Sequence, residues 1–377
     1  MSILLRKLSQ TYPKNVIIRY NNAQLCIISA RKLSIVASIY DGDEDPAPKF
    51  FSSNVQILLK RLTRPDMAKI FKKRTNSGLH TLKTPTYKFL TNEELEVEIS
   101  KASEKADQLL QMPPIVKAQQ PINDVLSKDP ALVGYDKSTY LFTDISFGVA
   151  NEQRIIIQRD PDGTLQSCDH ATRKRLNQVY FPMEGRKISE PIMFSDEERL
   201  HSLLDREKYE FVLDRACVQY EPDEHKYQTV TSIAYQHIDA KMKYDLLRST
   251  RHFGPLAFYL TWHNSMDGLM LELMQFGAVR EAALLVALRR ELRGDTSVAS
   301  QELVPEILAT PVQLTKPNRV TEEDIQLDTK CVDCIAQYIV SNSAMKSQQE
   351  LALQGFREYY QHIIELSKGL QKAHGNA

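Results

Sequence analysis

Apolar residues recur along this chain mostly at helical intervals. From Thr91 to Met112, the residues Leu95, Ile99, Ala102, Ala106 and Leu109 are spaced four, three, four and three apart. That spacing makes one continuous seam along a helix over 92–112. Thr91 and Glu94 form a capping box at its start, and Pro113-Pro114 stop it. Glu93, Glu94, Glu96, Glu98 and Glu104 occupy the other faces. So narrow a seam belongs either to a flank of the domain or to a docking element, and the flank is the expectation.

Val55, Leu58, Leu59 and Leu62 predict a shorter helix, capped by Ser52 or Ser53 and closed near Pro65. Asp169 is placed to cap a helix through Tyr180. Further helical patterns cover 196–206, 207–219, 230–250, 253–263, 266–292, 321–342 and 347–372.

Strand signals cluster between Thr139 and Cys168. Tyr140, Phe142 and Ile145 lie in one β-rich run, and Ile155, Ile156 and Ile157 in a second. The second ends in Asp160-Pro161-Asp162-Gly163, where proline presets φ and glycine accepts a positive φ. Thr164 to Ser167 then return as a third strand. The expected fold is α+β and predominantly α-helical, a small antiparallel sheet near 139–168 followed by a multi-helix region.

Charge divides the chain. The totals are 48 basic and 48 acidic residues, yet Arg6, Lys7, Lys14, Arg19, Arg31 and Lys32 all precede the first carboxylate, Asp41. A basic, hydroxyl-bearing, acid-free N-terminus reads as a mitochondrial transit peptide. Arg31, three residues before Ser34, fits a matrix-protease cleavage site. The remaining chain is then six charges to the acidic side. The expected organisation is a transit peptide over 1–33 and an extended, short-helix basic arm over 34–90. A core α+β domain over 91–293 follows, then a linker over 294–320 bearing Pro305, Pro311 and Pro317, and a C-terminal helical pair over 321–377.

Within the acidic remainder, Lys60 to Lys88 holds nine basic residues and one acid, Asp66. Clustered cations with Phe71 and Tyr87 among them suit a phosphate backbone. Lys60, Arg61, Arg64, Lys69, Lys72, Lys73 and Arg74 are therefore the candidate RNA contacts.

No other chemistry stands out. There is no phosphate-binding glycine loop, no nucleophile elbow and no paired-histidine zinc motif. Cys331-Val332-Asp333-Cys334 has no second half and lies in a helical pattern, so both cysteines are expected to pack. His252 and His263 flank an aromatic helix and are expected at the core or its edge. The longest apolar run, Ala282 to Leu288, is far too short to span a bilayer. No catalytic, cofactor-binding or metal-binding residue is nominated, and neither a membrane nor a small-molecule substrate is expected.

Several blocks in one order carry a resemblance. They run from Pro85-Thr86-Tyr87-Lys88 and Met112-Pro113-Pro114 to Pro121-Ile122-Asn123-Asp124-Val125-Leu126 and Phe142-Thr143-Asp144-Ile145-Ser146. Gly163-Thr164-Leu165, Val179-Tyr180-Phe181-Pro182 and Glu184-Gly185-Arg186-Lys187-Ile188 follow. The last is Lys243-Tyr244-Asp245-Leu246-Leu247-Arg248-Ser249-Thr250-Arg251, then Phe253-Gly254. In these blocks the chain resembles the mitochondrial ribosomal small-subunit protein 22 family. The resemblance implies a non-enzymatic structural constituent of the mitochondrial small ribosomal subunit, in the matrix. It would bridge small-subunit rRNA and neighbouring ribosomal proteins in support of mitochondrial translation. A transient RNA-binding or ribosome-assembly factor of the matrix is the alternative.

Overall fold

The computed structural model describes residues 45–71, 87–122, 124–294, 298–310 and 321–373. The basic N-terminal segment, Lys72, Lys73 and Arg74 lie outside the described residues.

Two short helices, α1 (Ala47–Phe50) and α2 (Ser53–Leu62), begin the described chain, and α3 (Met67–Ile70) follows. Val55, Leu58, Leu59 and Leu62 of α2 are all buried, as their spacing requires. Ser52 is the N-cap of α2 by position but makes no side-chain capping bond. α4 (Asn92–Leu109) starts on the predicted capping box, with Thr91 and Glu94 bonded reciprocally.

The sheet has four strands, one more than the sequence pattern predicts: β1 (Val125–Lys128), β2 (Tyr140–Thr143), β3 (Ile156–Arg159) and β4 (Thr164–Ser167). The order is β1-β4-β3-β2, with every neighbouring pair antiparallel. β1 is exposed throughout and its register slips between Val125 and Ser127, so it carries no alternation to read. The β3–β4 hairpin closes as expected. Gly163 has φ 79° and donates its N–H to the Asp160 carbonyl at 3.0 Å.

The helices then run α5 (His170–Tyr180), α6 (Ile192–Ser195), α7 (Glu197–Asp205), α8 (Tyr209–Gln219), α9 (His225–Lys241), α10 (Phe253–Trp262), α11 (Asp267–Phe276), α12 (Val279–Arg293), α13 (Val298–Ala309), α14 (Glu322–Asn342) and α15 (Lys346–Ala373). Three departures from the pattern have local causes. The stretch 266–292 is two helices, because Gly277 takes φ 84° and the Ala278 N–H turns back to the Leu273 carbonyl at 2.8 Å. α9 stops at Lys241 in the same manner, but with Met242 in the left-handed position, so no glycine marks the end. The expected linker over 294–320 contains a helix, α13, despite Pro305 inside it. Leu303 and Ile307, four residues apart, bury against the core and hold that helix in place.

α12 is central. From Val279 to Leu288 it is buried on every side, packed against α2, α10 and α14. Residues from α1 to α15 share one hydrophobic core, in which Phe258, Leu284, Ile335 and Leu353 all take part. The sheet residues stand outside that core. They are tied to it through α5, where Arg173 bonds the Arg154 carbonyl at 2.8 Å and Lys174 pairs with Glu224 at 2.8 Å. No helix among the described residues is long and apolar enough to cross a membrane.

Candidate functional site

The described part of the basic stretch, residues 60–71, lies on α2 and α3 and the turns beside them. Because α2 buries its apolar face between α10 and α12, the cations around it differ in exposure. Lys60 points outward and pairs with Asp107 of α4 at 2.9 Å. Lys69 of α3 is also exposed and pairs with Asp245 at 3.3 Å. Such exposed pairs are worth about 0–1 kcal/mol each.

Arg61 and Arg64 turn the other way. Arg61 is half-buried near Glu281 and Arg280, and burial lowers its pKa. Arg64 is 6% exposed, and its guanidinium lies 4.7 Å from the centre of the Phe276 ring. Its backbone has φ 51°, and its carbonyl accepts the Ser249 hydroxyl at 2.7 Å. Arg64 is part of the join between α2 and the segment after α9, and Arg61 lies toward Glu281 and Arg280 of α12. The four described candidates thus fall into an outward pair, Lys60 and Lys69, and an inward pair. Position along the chain does not separate them, since all four lie within ten residues.

Large apolar side chains are exposed elsewhere. On β1 and β2, Val125, Leu126, Tyr140, Leu141 and Phe142 are all exposed. Pairing of Phe142 with Ile157 and of Tyr140 with Arg159 sets these four on one sheet face. The Arg159 guanidinium lies 5.6 Å from the Phe142 ring centre on that face. On α4 the predicted seam is largely uncovered: Ala106 is buried, whereas Leu95, Ile99 and Leu109 are not. The expectation that α4 lies as an ordinary flank is therefore corrected. The helix touches the body near its C-terminal end, through Ala106 and Asp107; Ala102 is half-buried, and Leu95, Ile99 and Leu109 are exposed.

Buried charges serve the fold. Arg154 donates to the carbonyls of Asp144, Ser146 and Val149 at 3.2, 2.7 and 2.9 Å and stacks on Phe181, bracing the loop before β3. Arg280 donates to Asp328 at 2.6 Å and to Asp324 at 2.7 Å, joining α12 to α14. Arg280 is not among the residues that the sequence pattern singles out; it lies just before the apolar run Ala282 to Leu288, and charge bordering so apolar a run is the signal of a buried pair. Cys331 is fully buried on α14 and Cys334 half-buried, and burial pushes the Cys331 thiol up to about 12. His252 is buried, with Nε2 2.9 Å from Asp214.

Residues 48–294 match the family model of mitochondrial 28S ribosomal protein S22. The chain belongs to that family. The match takes in α2 and α12 as well as the sheet, so it spans most of the elements that build the core. A relative from Bos taurus, named small ribosomal subunit protein mS22, is 39% identical over 275 residues, covering 73% of this chain and 75% of its own length. The protein of the same name from Mus musculus is 38% identical over the same shares. The family match ends at the close of α12, before the segment with the three prolines and before Cys331 and Cys334.

Proposed function

We propose that this chain is a structural constituent of the mitochondrial small ribosomal subunit, working in the matrix and bridging rRNA and neighbouring ribosomal proteins. The observation that carries this reading is membership of the family over 48–294, with relatives named as small-subunit proteins. The surface chemistry supports it. Large apolar side chains on β1, β2 and α4 face solvent in the isolated chain, more than a solitary protein needs to expose. The role is one of support rather than catalysis.

RNA contact is assigned to the outward lysines of the basic stretch, Lys60 and Lys69, with Lys72, Lys73 and Arg74 continuing the same run. A phosphate can replace Asp107 or Asp245 as partner at little cost, because those pairs are exposed. Arg61 and Arg64 keep to the fold.

The test is sedimentation of mitochondrial lysate with this chain followed beside small-subunit rRNA, with and without magnesium chelation. A constituent follows the subunit in both states and stands at one copy per assembled particle. A chain that stays at the top of the gradient, or follows immature particles alone, overturns the proposal. Alanine at Lys69, Lys72, Lys73 and Arg74 should weaken subunit association and flatten its salt dependence, since each phosphate contact releases counterions.

A further inference from the structure

We infer that α4 is a docking helix whose seam receives a basic amphipathic helix from a neighbouring protein. The inference rests on the ribosomal reading above and names the chemistry of one partner. Leu95, Ile99, Ala102, Ala106 and Leu109 follow the a and d spacing of a two-helix seam. Ala106 closes the inner end against the body, at 3% exposure. Leu95 and Ile99 are 48% and 59% exposed, and Leu109 is 48% exposed. From Asn92 to Ala106 the helix rises roughly 20 Å. Exposed Phe89 and Leu90, just before the capping box, extend the apolar strip beyond the helix start.

Charge decides what fits. The positions that flank the open part of the seam are Glu96 and Glu98, both exposed. The helix as a whole carries Glu93, Glu94, Glu96, Glu98, Glu104 and Asp107 against Lys101 and Lys105. A helix pairing here needs apolar residues three and four apart, with lysine or arginine where it meets Glu96 and Glu98. An RNA backbone would be repelled by the same carboxylates. A second copy of α4 would set one net-acidic helix against another.

The experiment places a photoreactive benzoylphenylalanine at Ile99 of the full chain, with the same group at exposed Leu351 as the reference. Small subunits containing the chain are isolated and irradiated, and the linked fragments are sequenced. The expected fragment from Ile99 is a protein segment with net positive charge and apolar residues at three–four spacing. Glu96→Lys with Glu98→Lys should cut that yield by about tenfold, as two attractive flanking pairs become repulsive. Both glutamates are exposed, so the thermal midpoint should stay within about a degree or two of the parent. A link to rRNA, to this chain or a second copy of it, or to a segment lacking those features overturns the inference. So does a yield no greater than from Leu351, or one indifferent to the charge reversal. Sedimentation is read in the same samples. A chain that rides with the subunit without the expected link sinks the docking helix alone, and a chain that never joins the subunit sinks the ribosomal reading first.

Discussion

Arg280→Met tests the buried charge cluster that ties the family-matched region to the C-terminal helices. Arg280 is the second residue of α12, and its side chain is 6% exposed. Its Nε donates to Asp328 at 2.6 Å and its Nη2 to Asp324 at 2.7 Å, both on α14. Tyr360 of α15 donates its hydroxyl to the second Asp328 oxygen at 2.5 Å. Burial works against the charge on Arg280, but the bonds to Asp328 and Asp324 outweigh it and hold the guanidinium above its ordinary pKa. Removing the arginine leaves Asp328 buried with the Tyr360 hydroxyl as its remaining partner from this cluster. Breaking a buried pair from one side costs about 3–5 kcal/mol, because the surviving charge loses its compensation. Asp324 is nearer the surface and can be rehydrated, so it adds little. The combined change Arg280→Met, Asp328→Leu and Tyr360→Phe removes the charge and its partners together, and should recover to within about 1–2 kcal/mol of the parent. Urea unfolding of the full chain at pH 7 reads this, because the single tryptophan, Trp262, lies in the core. The reasoning fails if the single change costs under about 1 kcal/mol, or if the triple variant is as unstable as the single one.

Three further outcomes are expected. Gly163→Ala should loosen the sheet and leave the helical body intact, since a Cβ there would sit 2.1 Å from the Asp129 carbonyl oxygen at a φ of 79°; amide exchange should quicken at 125–128 and 164–167, at a local cost of roughly 1–3 kcal/mol. His252 is held below its ordinary 6.5 by burial, against the pull of Asp214, so the unfolded chain binds its proton first as pH falls. Its contribution to stability is therefore complete above about pH 6.5 and declines below it, and His252→Gln should flatten denaturation midpoints measured from pH 7 down to 5. With the Cys331 thiol at about 12 rather than 9, the folded protein holds roughly a thousandfold less thiolate there at pH 8; iodoacetamide should label Cys331 only on unfolding, and brisk labelling of the native chain would contradict its placement in the core.

Elements whose ends are chemically marked were legible from the residues. Thr91 with Glu94, Asp169 before α5, and Asp160 to Gly163 each carry the bonding groups that define a cap or a turn, and each does so in the structure. Elements that end or begin without such a mark were not. Met242 adopts a left-handed conformation that its side chain disfavours, where its N–H and that of Lys243 close the helix on the Asp239 and Ile238 carbonyls, each at 3.1 Å. β1 is exposed along its whole length, so burial imposed no period on it. α13 persists around Pro305 because Leu303 and Ile307 are seated in a core that the local pattern does not display.

The candidate interface divides the same way. The residues alone determined that cations gather over 60–74, that α4 carries an apolar seam beside a row of glutamates, and that the middle of the chain matches a ribosomal family. Those are properties of composition and spacing, which are fixed along one dimension. Only the tertiary structure decided that Arg61 and Arg64 turn inward while Lys60 and Lys69 face solvent, and that the α4 seam stays open instead of closing on the body. Periodicity says which side chains share a face. Which face meets solvent depends on what other segments, distant in the chain, supply to cover it.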